Sequence, residues 1–344
     1  MAYRLKLKEP LVKGVRRIAA EQLANAAARL QSEGDPESGI HEARKSLKRT
    51  RALLRLVRPG LGETQFRNSN GRLRDIARTL SAARDRDVVR AHLARLATAQ
   101  PAAGKAKSPA AKSKQSTSTK GSALAKAAGR LNAALAQAAN SHTSENGAGP
   151  SAPTRNMAEA LAEIEAVRGD LAELALHPSS FETIVAGLTK SHRSGCKALA
   201  LALANPTEEE ALHDLRKAAQ AHWRQMILVQ HAWPEVCLAR AAAAKGLADL
   251  LGLDHDIALL DAVLAGPEAA AMSRAERDAL TRYCAGRHAE LRGAALPKAQ
   301  LLFAERSERL GKRMRYLWDI SRKAARPGVS RAAADETAGA RKSS

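Results

Sequence analysis

The sequence predicts an all-α protein made by tandem duplication of a helical unit. The expected arrangement is two antiparallel four-helix bundles related by a pseudo-two-fold axis, with a basic groove at the centre. Three observations lead there. Ala, Leu, Arg and Glu are plentiful, β-branched residues are few, and Phe, Trp and Tyr number three each in 344 residues, a composition of good helix formers. Apolar residues recur at helical spacing along most of the chain. Finally, a pattern that begins at residue 41 returns at residue 213.

The first helix is expected over 8–31, with Val12, Val15, Ile18, Ala19 and Leu23 near one face. The second lies in "HEARKSLKRTRALLRLVRPG" (41–60), where "GDPES" supplies a turn and a start signal and Pro59-Gly60 a stop. His41 would then sit in the first turn. At about 100° per residue, His41, Arg44, Lys48, Arg51 and Arg55 share one face, flanked by Lys45. Leu47, Leu54 and Val57 lie opposite, with Ala43 and Thr50. Like charges at i,i+4 repel by a few tenths of a kcal/mol, so a face of one sign points to an anionic partner.

A third helix is expected over 63–82 and a fourth from "RDRDVVRAHLARLATA" onward. The composition then breaks. "PAAGKAKSPAAKSKQSTSTKG" (101–121) holds no large apolar residue, so it cannot bury a face and is expected to be disordered. A short Ala-rich helix around 122–140 and a second linker, "SHTSENGAGPSAPT", follow. Helices resume near 157 and continue to 323, with breaks at "HPSS", "NPTEEE", "WPEV" and "GPE". The division is thus 8–98 for the first half, 99–156 for the insert, 157–323 for the second half and 324–344 for a loose tail.

The repeat supports the duplication. "HEARKSLKRTRALL" at 41 matches "HDLRKAAQAHWRQM" at 213, and "LSAARDRDVV" (80–89) matches "LGLDHDIALL" (251–260). The second match sets Asp85 opposite Asp256, each expected in a short loop where it caps the following helix. His213, expected in a first turn, and Arg216, Lys217 and Arg224 repeat the basic face with less charge, since Gln220 and Ala221 replace Lys48 and Arg49. Three further groups share helix faces: Arg67, Arg74 and Arg78; His192, Arg193 and Lys197; and Arg306, Arg309 and Arg313. Trp223, Trp233 and Trp318 are expected in the core.

A net charge of +21 at pH 7 calls for a polyanion. Arg offers a planar fork of donors matched to phosphate oxygens, and Lys adds a compact charge, so a groove lined by them can follow a chain of phosphates. Nucleic-acid recognition normally adds aromatic platforms for bases, which are nearly missing. No Walker loop, paired catalytic carboxylates or Ser-His-Asp spacing is present, and no metal or cofactor is expected. Cys196, Cys237 and Cys284 have no pairing or zinc spacing and are expected as reduced thiols. The beginning of the chain lacks the apolar run of a signal peptide, and no stretch approaches 18 apolar residues. A soluble, cytoplasmic protein without a membrane partner is expected.

The His-x-x-Arg-x-x-x-Lys-Arg-x-Arg pattern of His41, Arg44, Lys48, Arg49 and Arg51, followed by "LRDIARTLSAARDRDVV", resembles the CHAD family, the conserved-histidine α-helical domains. The second copy at His213 and Arg216 does so more weakly. That resemblance covers most of 8–323. It implies two four-helix bundles with a basic channel, binding of inorganic polyphosphate, and localisation to polyphosphate granules. Nothing in the chain resembles the triphosphate tunnel domain to which some members are fused, so no enzymatic activity is expected. The alternatives are a nucleic-acid or granule-coating role, suggested by the Lys-rich insert, and a phosphate-processing enzyme with His41 as acid or nucleophile.

Overall fold

The computed structural model describes residues 3–32, 35–80, 84–98, 114–143, 152–270 and 272–325. Among these the protein is all-α, with eleven α-helices and no strand. They are α1 (Leu11–Leu30), α2 (Pro36–Leu61), α3 (Glu63–Thr79), α4 (Arg84–Thr98), α5 (Lys114–Thr143) and α6 (Ala152–Ala172). The chain continues with α7 (Phe181–Ala204), α8 (Glu209–Leu228), α9 (Pro234–Leu264), α10 (Arg274–Leu302) and α11 (Ser307–Ala324).

The helices fall into two compact units. The first holds 1–80, 152–248 and 296–344; the second holds 81–151 and 249–295.

In the first unit, α1 packs on α2 and α6, α7 packs on α8 and α11, and α2 lies against α3, α7 and α8. The faces expected to be apolar are the buried ones. Val15, Ile18, Ala19 and Leu23 of α1 join Ala43, Leu47, Leu54 and Val57 of α2 in one core. α2 crosses α7 where the backbone at Leu56 meets Gly187, which has no side chain in the way.

Both ends of α2 differ from the sequence expectation. Asp35 is the N-cap, its carboxylate accepting from the amides of Glu37 and Ser38 at 3.1 Å each. His41 is therefore the sixth residue of the helix, beyond its first turn. Pro59 does not stop the helix either. It lies in the last turn, where its missing N–H removes a single bond. The stop is Gly62 at φ 83°, a conformation that favours glycine. His213 is likewise the fifth residue of α8 rather than a first-turn residue.

In the second unit, α4 packs on α5. Val89 and Leu93 of α4 meet Ala127, Ala128, Leu131 and Leu135 of α5 in a core shared with Ile257, Leu260 and Leu280. α5 begins at Lys114, earlier than the expected 122, because its first turns lack the large apolar residues that betray a helical period. Residues 101–113 of the expected linker, 144–151 of the second and the tail from 326 lie outside the described residues.

Asp256 is inside α9 rather than in a loop at a helix start, so it is not an N-cap. Gly252 does not interrupt a helix whose apolar period continues through Leu251, Ile257 and Leu260. Asp85 is the second residue of α4, and its side chain lies outside the described residues. Beside Asp256, the buried Asp254 accepts from Arg292 Nε at 2.8 Å and lies 2.6 Å from His288, whose other ring nitrogen is 2.9 Å from Asp261.

Trp318 is buried and Trp223 packs partly against the core. Trp233 is not core. It stands 47 % exposed in the break before Pro234, where no helix face covers it. All three cysteines are free thiols, with Cys237 and Cys284 buried.

Candidate anion-binding site

The basic face of α2 is half-buried. His41, Arg44, Lys48, Arg51 and Arg55 are partly covered, whereas Arg49 is exposed. Arg51 donates to Asn70 of α3 at 3.0 Å. Burial pushes its guanidinium down to about 10, and repulsion from Arg55 and Arg74 adds to that. Arg55 is lowered by burial and by Arg58. Across from them on α8, Arg224 is also lowered to about 10, chiefly by burial, with the Tyr3 phenol acting against it and Arg49 and Arg55 adding repulsion. All three stay charged at neutral pH. Among the described residues, none of them lies within ion-pair distance of a carboxylate. Arg51 and Arg55 are half-buried, and Arg224 is buried, donating to the Gln220 carbonyl at 2.9 Å with its guanidinium 4.6 Å from the Trp223 ring. Three like charges are thus withdrawn from water together, which costs free energy.

The same wall opens into a cavity of about 250 Å³. Arg55 and Arg58 line it from α2, Lys190 from α7 and Lys217 from α8, with the hydroxyls of Ser191 and Ser194 between them. Asp214 is its acid, held by Lys217 at 2.9 Å. Arg58 is shared with Glu63 at 2.6 Å and lies over the Phe66 ring at 4.5 Å. Tyr3 of the segment before α1 packs on the same face of α2. Its hydroxyl donates to the Arg49 carbonyl at 2.8 Å and its ring lies 5.9 Å beneath the Arg49 guanidinium.

The structure therefore brings together Arg51, Arg55, Lys217 and Arg224 from the expected set. Sequence reasoning missed Arg58 and Lys190. Arg58 extends the ladder of Arg44, Lys48, Arg51 and Arg55 by one more step of three, and Lys190 precedes Arg193 and Lys197 at steps of three and four. Both signals were available.

The remaining candidates are arranged differently. His213 and Arg216 are half-buried on α8, and Lys45 is tied to Glu42 at 2.6 Å. Arg67, Arg74 and Arg78 stand exposed on α3 but are paired with Glu63 and Asp75. Arg193 pairs with Glu308 at 2.5 Å and Arg313 with Glu305 at 2.8 Å, while Lys197, Arg306 and Arg309 are exposed.

His192 is 1 % exposed and belongs to a buried network. Arg240 donates from Nε to His222 Nε2 at 2.8 Å and from Nη2 to His192 Nε2 at 3.2 Å. Because Nε2 accepts, Nδ1 of the neutral His192 carries the proton and donates to Ser307 Oγ at 2.9 Å. Burial and the neighbouring Arg240 lower His192 to about 4, and His222 is lowered by the same causes.

The CHAD domain family model matches residues 17–265, most of the chain. The chain belongs to the CHAD domain family. Every residue lining the cavity between α2, α7 and α8 of this CHAD domain falls within the matched region. No curated protein matches the sequence. Among solved structures, the CHAD domain is similar to PptA from Streptomyces chartreusis. The TM-score is 0.53 at 16 % identity, over 86 % of this chain and 100 % of that one. At that identity the likeness concerns the fold alone. No described helix is long and apolar enough to cross a membrane.

Proposed function

We propose that this CHAD domain binds inorganic polyphosphate along the basic wall of α2 and α8, without cleaving or extending it, and associates with polyphosphate granules. One observation carries the proposal: the half-buried Arg51 and Arg55 and the buried Arg224 are withdrawn from water together, and among the described residues none of the three has a carboxylate at ion-pair distance. A chain of phosphates supplies closely spaced oxygens that such forks can accept, and its charge relieves the repulsion among them. Membership in the CHAD family supports the same ligand. The cavity is lined by four cations, two hydroxyls, two alanines and one acid, Asp214, which Lys217 holds, and its lining includes no aromatic platform for a base.

The test is competition at one salt concentration among long polyphosphate, duplex DNA and single-stranded RNA, compared at equal phosphate. Polyphosphate is expected to win, and its chain length is expected to be unchanged after incubation with the protein. Equal or better competition by duplex DNA would favour a nucleoid role. Release of orthophosphate, lost in His41→Ala, would favour an enzyme.

A further inference from the structure

A second cavity, of about 510 Å³, lies elsewhere in the first unit, where the segment before α1 passes the start of α7 and the end of α11. That volume suits a small organic ligand. Three cations line it: Lys6, Lys8 and Arg322, all exposed and, among the described residues, none at ion-pair distance from a carboxylate. Its one acid, Glu9, is occupied by Arg17, whose Nε and Nη2 donate to its two oxygens at 2.9 and 2.8 Å.

The other wall is apolar. Phe181 and Trp318 stack with ring centroids 4.3 Å apart and planes 9° from parallel, and Leu7 and Leu11 adjoin them. The helix starts add to the cationic side. α7 begins after Ser180, which caps no amide with its side chain, and α1 begins after Pro10, also without a side-chain cap. Amides at both starts thus lend partial positive charge to the same space.

A bare phosphate chain would satisfy the cations and leave the half-buried Phe181, Leu7 and Leu11 uncovered, while an apolar ligand would leave three cations unmatched. We infer that this cavity is a separate site for a nucleotide: phosphates against Lys6, Lys8 and Arg322, and the planar base against the half-buried Phe181, which the buried Trp318 backs. It shares no lining residue with the polyphosphate groove, so the two readings stand or fall separately.

Equilibrium dialysis of the full chain with ATP, and separately with tripolyphosphate, tests it. The proteins compared are the wild type, an R55E/K217E groove variant and a K6A/K8A/R322A cavity variant. The altered cavity residues are exposed, and a melting curve confirms that the variant folds. ATP binding should persist in the groove variant and fall at least about tenfold in the cavity variant, as expected when charge-assisted contacts are removed. Tripolyphosphate should show the opposite pattern. The inference is overturned if the wild type does not bind ATP, if the groove variant loses it, or if the cavity variant keeps wild-type affinity. A loss of tripolyphosphate binding alone would bear on the groove and leave this site standing.

Discussion

Gly187 of α7 and Leu56 of α2 meet backbone to backbone: a Cβ at Gly187 would lie 1.7 Å from the Leu56 carbonyl oxygen. This close approach sets the separation of the two helices. Arg55 neighbours Leu56 in the chain and Lys190 follows Gly187 by three residues, so the same crossing places both cations on one cavity wall. Because the obstacle is backbone rather than a flexible side chain, Gly187→Ala can be accommodated only by moving a helix. The expected loss is about 3 kcal/mol, the upper end for overpacking, with weakened polyphosphate binding. Urea denaturation checks the first expectation. A variant as stable as the wild type would mean that the helices are free to separate.

Charge reversal distinguishes the buried wall from the exposed arginines. Arg55→Glu with Lys217→Glu should lower polyphosphate affinity at least about tenfold and reduce the salt slope by about one for each phosphate no longer neutralised. Reversing Arg67, Arg74 and Arg78 should do much less, since those cations are exposed and two of them already pair with Asp75. Fluorescence titration at several salt concentrations reads both. A larger effect from the α3 triple would move the site onto that helix.

Acid should weaken the fold through the buried histidines. His192 titrates near 4 in the folded chain against 6.5 when free, and His222 is lowered in the same sense. Between those values the unfolded chain binds more protons, so stability rises with pH there and is lost as pH falls below about 6.5. The groups acting on the pair are Arg240, which Glu305 holds, together with Glu308, Ser307 and Cys196. His192→Gln with His222→Gln should therefore flatten the fall in melting temperature between pH 6.5 and 4.5, whatever it does to stability at pH 7.5. An unchanged difference between variant and wild type across that window would remove the histidines from the acid response.

The Lys-rich insert should divide into a dispensable and an indispensable part. Deleting 101–113 removes no large apolar side chain and should leave the melting transition nearly unchanged. Leu131→Ala in α5 removes a side chain that is fully buried in the second unit, and should cost about 3 kcal/mol there. Circular dichroism melts of both variants are the measurement. A destabilising deletion with a silent Leu131→Ala would place the structural boundary on the wrong side of α5.

Much of this molecule was legible from local order. The faces of α1 and α2 follow from a period that repeats within two turns, so Leu47, Leu54 and Val57 could be assigned inward and Arg44, Lys48, Arg51 and Arg55 to the opposite stripe without any tertiary information. The breaks at "HPSS", "NPTEEE", "WPEV" and "GPE" were legible for the same reason: Pro and Gly act on their immediate neighbours. Where the local signal was thin, the expectation slipped. The early turns of α5 carry no apolar stripe, the loop expected at Asp256 lies inside the continuous α9, and Pro59 came too near the end of α2 to stop it.

The sequence by itself determined the all-helical fold, the family, and a stripe of like charge along α2. Only the tertiary structure decided which cations act together. Arg55 and Arg58 of α2 lie far along the chain from Lys190 and Lys217 of the consecutive helices α7 and α8, and they share a cavity because α2 and α7 touch at Gly187. It also drew His192 from the basic surface set into a neutral, buried network with Arg240 and Ser307. The physical reason is the range of the forces involved. Helical periodicity is set by bonds four residues apart, whereas burial, and the charge repulsion it strengthens, depend on which distant faces the packing brings together.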